Sequence, residues 1–573
     1  MRLVGALVVA LVAAACSGGG ASAPAAPVDA TTPDAATTDE ACAPGSARLG
    51  SSAACVRGPW AECGADHDPA PSGWGCRDRT PSEPCTGATR EAVGSAACVP
   101  VGDCDAPFPP PGAIIVDGAS AVVDATHKRT IGAAIAVAAP GTVVAVEAGS
   151  YAENLSLDRD VTIVGRCPAK VSLQGTGLAA QGIRVLSGRA VVRGITVRNQ
   201  PAVGVSVAPF AAVELEDVVL EDNGMAGVSL SDGDATAKIT RSVIRGTRQS
   251  SVSGEGGWGA NAQAGSTLTI TDVAFSGNQS SGVRLSTQSK GTLDGVVIRG
   301  TRRNRVYDFG RGLSVIRGAR AKMTRSALLD NAEVSIVVGD DGAELEMNDV
   351  VVRDTVPSEG GGIFGRALNL FGGAKVEGTR VWIHDNRDAA VMVAEVGSHL
   401  TLRSSVVSGT ALDRDGQVGR GVTVQEGAAA DLFDVAIAGS HEVGLAVFAK
   451  GTRVRAERTA IVHTKPNLGP AFGNGVLVTD DGLVELVDVE VASNYGIGVA
   501  IGPAAAILSL ARVRSNTVGL YVQDGTTLRE VGSADGMTPA AREVIVTTDS
   551  PLVGNGTRFT AGVVPLPAPI VAK

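Results

Sequence analysis

The chain has 573 residues, with 49 Lys and Arg against 59 Asp and Glu, and its net charge of −10 excludes a protein that coats nucleic acid by charge neutralisation. Apolar residues reach 44% and aromatics only 3%, which supplies a large core and excludes a disordered chain. Beyond the N-terminus no uncharged apolar run approaches the roughly 18 residues of a membrane helix.

Met1-Arg2 is followed by an apolar stretch from Leu3 to Val12 and then by Ala13-Ala14-Ala15-Cys16. A positive residue, a short apolar core and small residues form a secretion signal over 1–15, too short for a permanent span. Cys directly after the small residues resembles the lipobox of bacterial lipoproteins. That resemblance implies that Cys16 becomes the first mature residue, carries lipid, and anchors the protein to the bacterial outer membrane or cell surface. Ordinary signal cleavage nearby, releasing a soluble protein, is the alternative. Residues 16–41 are almost wholly Gly, Ala, Ser, Pro, Thr and Asp, a flexible tether with an r.m.s. span of roughly 28 Å.

Eight further cysteines follow: Cys42, Cys55, Cys63, Cys76, Cys85, Cys98, Cys104 and Cys167. An even count in an exported chain favours disulfides. The pairs 42/55, 63/76 and 85/98 are each thirteen apart, and the segment from Cys42 to Val56 echoes that from Cys85 to Val99. This spacing favours those three bridges, with Cys104 to Cys167 as the fourth. Zinc is the competing use, but CxxC is absent and His67 stands alone. Residues 42–106 read as a small cysteine-rich domain and 107–112 as a Pro-rich linker.

From 113 to 545 the chain reads as one solenoid. Thr130 to Ala139 has helical apolar spacing and caps its open end, which would otherwise expose an unpaired strand edge. After residue 180, units begin near Gly182, Gly204, Gly227, Gly259, Gly282, Gly312, Ser335, Ala367, Ala390, Gly421, Gly444, Gly475, Gly498 and Gly519. Short steps of 23 alternate with long steps of about 31, and each unit holds three short alternating apolar runs. Alternation marks half-buried strands, and a fixed period marks stacked units. The expected fold is all-β, a right-handed parallel β-helix with a short capping helix; 546–573 is a C-terminal cap or tail. Short units end in Asn223, Asn278, Asn331, Asn386, Ser440 and Asn494, and long units carry Thr247, Thr301, Thr355, Thr410 and Thr464 at the matching place. Both columns are expected as stacked turn ladders, with Asn in left-handed conformations and bonded amide to amide.

The segment Gly149-Ser150-Tyr151-Ala152-Glu153 resembles the GxYxE signature at the start of pectin methylesterases, within the pectin-lyase-like superfamily. That resemblance implies a β-helix start at Tyr151 and Glu153. The catalytic motifs of the esterases and polygalacturonases do not follow, and Asp308-Phe309-Gly310 is a poor echo of one. Asp340-Asp341 and Asp480-Asp481 each precede Gly at one offset, as Asp232 does, and read as turns. His384, His399, His441 and His463 share no unit position and read as surface residues. No cofactor or metal is expected, and no catalytic set emerges.

The extra residues of the long units all fall at one corner, in the segments 246–258, 300–311, 354–366, 409–420 and 463–474. Stacked, they form a ridge, a common place for the binding face of a repeat protein. Trp258, Phe309, Phe364, Val418 and Phe472 lie near their ends, and Arg311, Arg366 and Arg420 follow two residues after three of them. The five segments carry a net charge of +3. Aromatic faces suit sugar rings and Arg forks suit carboxylates. Trp258, Arg302, Arg305, Phe309, Arg311, Phe364, Arg366, Arg420 and Phe472 are therefore the candidate ligand-binding residues of a non-catalytic, surface-displayed module. Its expected partners are the membrane, through the anchor, and a polysaccharide or an envelope protein, but not nucleic acid. The rival reading of the ridge is a hydrophobic strip that holds the loops down, and the rival function is a polysaccharide lyase, esterase or hydrolase.

Overall fold

The computed structural model describes residues 42–49, 54–177, 181–251, 253–306, 309–358, 361–362, 364–469, 472–562 and 567–570. The signal, Cys16, the tether and Asp308 lie outside the described residues.

One turn of the coil shows how the sequence folds. Gly310–Ile316 is a strand of a 16-stranded parallel sheet. The chain reverses at Arg317 and Gly318, both at positive φ, and enters Arg320–Leu329 in a 28-stranded sheet. Arg325, at φ 46°, bends that strand so that its two halves line different faces. The next turn then begins with Val334–Gly339, which pairs in parallel on Gly310–Ile316. Identical spacing puts like residues above one another. Val283, Leu313, Ile336, Leu368, Val391 and Val422 form one interior column, each the register partner of the next. All six are fully buried, which is where the hydrophobic effect drives the stacking. Strands Glu543–Thr547, Leu552–Val553 and Thr557–Gly562 continue the same ladders. Beyond them, Ile570 lies against Met392 and Ala394 on the outer face of the 16-stranded sheet.

The start of the coil is built as its signature suggests. Helix α1, Ile131–Val137, has Thr130 as its N-cap. The Glu153 carboxylate accepts from the Ile131 and Gly132 N–H groups at 2.8 and 2.9 Å, satisfying donors that a helix end leaves open. Tyr151 is buried and donates to the Val116 and Glu147 carbonyls. Both residues therefore fasten the cap to the first coils.

The Asn column works differently from the expected ladder. Asn331 accepts from Thr301 N at 3.0 Å and donates to Ile298 O at 3.1 Å, and Asn278 repeats this on Thr247 and Ile244. Each amide thus ties a coil to the backbone of the coil before it, because Thr separates one Asn from the next. Amide-to-amide bonds appear only where consecutive coils all carry Asn, at Asn494, Asn516 and Asn555. The left-handed residue is the one before the Asn, as at Asp222, Asp330 and Asp385. The buried hydroxyls of Thr247, Thr301 and Thr410 form no hydrogen bond, so threonine fills the site without extending a ladder. Asn331→Ala leaves a buried donor and a buried acceptor unpaired, and is expected to cost about 2–3 kcal/mol in urea unfolding. A loss under ~0.5 kcal/mol would refute the bridging role.

The four disulfides are Cys42–Cys55, Cys63–Cys76, Cys85–Cys98 and Cys104–Cys167. Each of the first three closes a short antiparallel hairpin. The segment expected as a separate small domain instead belongs to one compact unit with the solenoid. It has too few large apolar residues for a core of its own and borrows the solenoid's. Trp60, Trp74 and Cys76 pack on Val351, Trp382, Val406 and Ala436, while Val101 packs on Val219, Val243 and Val297. Arg48 N donates to Glu490 at the far end of the rod. The segment is therefore a strap that starts beside late coils and runs back to the first ones, where Cys104–Cys167 fixes it. This strap also corrects the reading of His384: it is 4% exposed, not a surface residue, and bonds to the Cys76 carbonyl.

Candidate functional site

The inserted segments do stack. Asn304, buried, donates to the Gly254 and Gly256 carbonyls, and Arg305 N donates to Gln249 Oε1 at 2.8 Å. Leu468 N donates to Gly416 O at 3.0 Å, and Arg414 lies beside Gly362. Each of these contacts joins one loop to the loop two coils away.

Register places the side chains. Phe309 and Phe364 stand four residues before Leu313 and Leu368, which lie two coils apart in the ladder. The two rings therefore share one column at a spacing of about 10 Å. Phe472 stands four residues before Val476 in the same way. Trp258 does not join this column. It pairs with Ser281, which pairs in turn with Arg311, so Trp258 occupies the arginine position. All four rings are half-buried.

The arginines are spent on the fold. Arg311 pairs with Glu333 at 3.1 Å, Arg366 with Asp388 at 2.5 Å and Arg420 with Glu442 at 2.7 Å. Arg366 and Arg420 are each 1% exposed. Burial lowers the pKa of Arg366 and raises the carboxyls of Asp388 and Glu442, against the pull of their partners. The Arg311 and Arg366 guanidiniums lie 3.7 and 4.2 Å from the Phe309 and Phe364 ring centroids. Arg420, whose loop has Val418 in place of a ring, instead lies 5.0 Å from Phe448 and donates to Ala568 O of the C-terminal tail. Arg366 and Arg420 are thus removed from the set that could meet a ligand, because a buried charge already held by an acid has no face left for one. The sequence reading overlooked Glu333, Asp388 and Glu442. Their signal is a constant offset, since each follows its arginine by 22 residues.

What the ridge offers outward is different. Arg302 and Arg305 are exposed, and so are Val306 at 54% and Leu468 at 72%. The carboxylates once considered for chemistry sit in turns: Asp340, Asp480 and Asp481 have positive φ, and Asp481 pairs with Arg542. Among the described residues no three His, Cys, Asp or Glu side chains gather as a metal site.

Comparison with known proteins adds the following. Residues 181–350 match the family described as right-handed β-helix region. No curated protein sequence matches the chain. Among solved structures, the A-module of mannuronan C-5 epimerase from Azotobacter vinelandii is similar at 15% identity, with 61% of this chain and 86% of that one covered and a TM-score of 0.27. A mannuronic acid-specific family 6 polysaccharide lyase from human gut microbiota is similar at 9% identity, over 71% and 86% of the two chains, with a TM-score of 0.29. The catalytic domain of an α-1,3-glucanase is similar at 12% identity, over 82% and 71%, with a TM-score of 0.25. The matched segment and the continuous parallel ladders make this chain a right-handed parallel β-helix protein of the pectin-lyase-like kind.

Proposed function

We propose that the protein is an exported, lipid-anchored, non-catalytic module that binds a glycan along the loop ridge. The observation that carries this reading is the ridge itself. Successive insertions fall at one corner, bond to one another, and raise Arg302, Arg305, Val306 and Leu468 above a column of half-buried rings. The buried ion pairs beneath hold that surface rigid, and a rigid surface loses little entropy on binding. Export is supported by the four disulfides, which persist in oxidising compartments. Anchoring rests on Cys16, and Cys16→Ser is expected to move the protein from the membrane fraction to the soluble one.

The ridge is tested with Phe309→Ala/Phe364→Ala on a glycan array. The expected result is at least ~10-fold weaker glycan retention with an unchanged circular-dichroism spectrum. Unchanged retention with a lowered melting temperature would show that the rings only hold the loops down.

A further inference from the structure

The strap does not lie flush over its whole length. Between Gly87–Ala88 and the segment from Pro168 to Ser172 it leaves an open cleft of about 210 Å³. Val171 and Val219 give the cleft an apolar floor, and Ser172 supplies a hydroxyl. Lys170, Arg198 and Arg245 line it against a single acid, Glu221. Glu221 is committed to Arg245 at 2.6 Å, and Arg245 also holds the strap through the Gly87 carbonyl. Arg198 is the register neighbour of Glu221 one coil earlier, yet its buried Nε has no hydrogen-bond partner. Lys170 is exposed and makes no ion pair among the described residues. The lining therefore has a net charge of +2 in a protein whose net charge is −10.

We infer that this cleft binds one anionic sugar unit, its ring against Val171 and Val219 and its oxyanion between Lys170 and Arg198. The volume lies below that of drug-sized pockets and suits a single ring rather than an extended chain. An apolar floor accepts the C–H face of a sugar, Ser172 serves its hydroxyls, and a guanidinium pairs with a carboxylate or a phosphate in the same fork geometry. The cleft shares no residue with the loop ridge, so this site stands or falls independently of the glycan reading above.

The test is titration calorimetry of the full chain with glucuronate, glucose 6-phosphate and glucose. At least one of the two anionic sugars is expected to bind at least ~10-fold more tightly than glucose, and their order tells carboxylate from phosphate. Lys170→Ala/Arg198→Ala is expected to abolish that preference with the melting temperature of the free protein unchanged. Equal binding of glucose, no binding of either anion, or full retention in the double variant would each overturn the inference. A ligand-induced rise in melting temperature, present in the parent and absent in the variant, keeps the test readable should the heat of binding be small.

Discussion

Trp382→Ala is expected to open the strap while leaving the solenoid coiled. Trp382 is fully buried where the strap meets the long sheet, among Trp60, Trp74, Val351 and Val406. Its indole N–H donates to the Trp60 carbonyl at 3.1 Å, and the His67 ring lies 4.9 Å away. Truncation removes this apolar volume, leaves a cavity, and orphans a buried carbonyl. Together these cost about 5 kcal/mol. The loss falls on the seam, because the coils on either side keep their own ladders through Val351, Val406 and their interior neighbours. The Asp78–Arg353 ion pair at 2.6 Å would then be left to hold the middle hairpin almost alone. The measurement is limited trypsin digestion: cleavage after Arg77 and Arg79 should accelerate by two orders of magnitude or more, with solenoid fragments unchanged. Parent-like cleavage would mean that the strap is held by its disulfides and not by this contact.

Much of this architecture is legible in the sequence because a solenoid repeats its reasons. The alternation of 23 and 31 residues fixes which side chains become vertical neighbours, so Leu313, Ile336 and Leu368 align as the period requires. The thirteen-residue cysteine spacing is readable for the same cause, since each bridge closes one small hairpin. The partners of the arginines were not readable. Arg366 and Asp388 lie 22 residues apart with nothing local to join them, and only stacking brings them together. The bend column was hidden likewise. Asp217, Arg241, Asp349 and Arg380 all have positive φ, and the acids and bases pair between coils, Arg241 with Asp217 and Arg380 with Asp349. A charged residue in an alternating strand reads as surface, and nothing in its type reveals that it is also the corner.

The strap escaped the sequence reading for a related reason. A cysteine-rich segment before a Pro-rich stretch looks like an independent module, and the surface that receives it is spread over coils hundreds of residues later. His384 shows this clearly. It lies at the end of a strand, 308 residues from Cys76, and only the strap removes it from water. The ridge illustrates the opposite case. Its position was legible from insertions, but the duties of its side chains were set by neighbours the sequence does not place side by side.

Acidification is expected to release the strap before it unwinds the solenoid. His384 bonds to Ser408 Oγ and to the Cys76 carbonyl, each at 2.8 Å, and burial holds its pKa below the ordinary 6.5. Burial also lowers His67, although Asp349, Asp66, Asp78 and Asp68 all pull it upward. Both rings are thus neutral in the closed seam and take up a proton near pH 6.5 once it opens. The stability they supply is complete above pH 6.5 and falls as the pH drops towards their seam values. Each ring contributes at most about 1.4 kcal/mol per pH unit, so the pair costs the seam up to roughly 4 kcal/mol by pH 5. His463 is shifted downward too, but its exposure leaves it a minor share. Asp78 acts later: burial raises its carboxyl, but Arg353 outweighs burial and holds it below 3.8. Its contribution is complete above that value and is lost only as the pH falls further. Hydrogen exchange over residues 54–104 at pH 7.5 and pH 5 should show the opening, with coils after residue 181 protected at both. His384→Gln removes one titrating ring and should reduce the dependence on pH by about tenfold in open fraction per pH unit. A strap that stays equally protected at both values, or a variant with the parent's pH slope, would locate the acid sensitivity elsewhere.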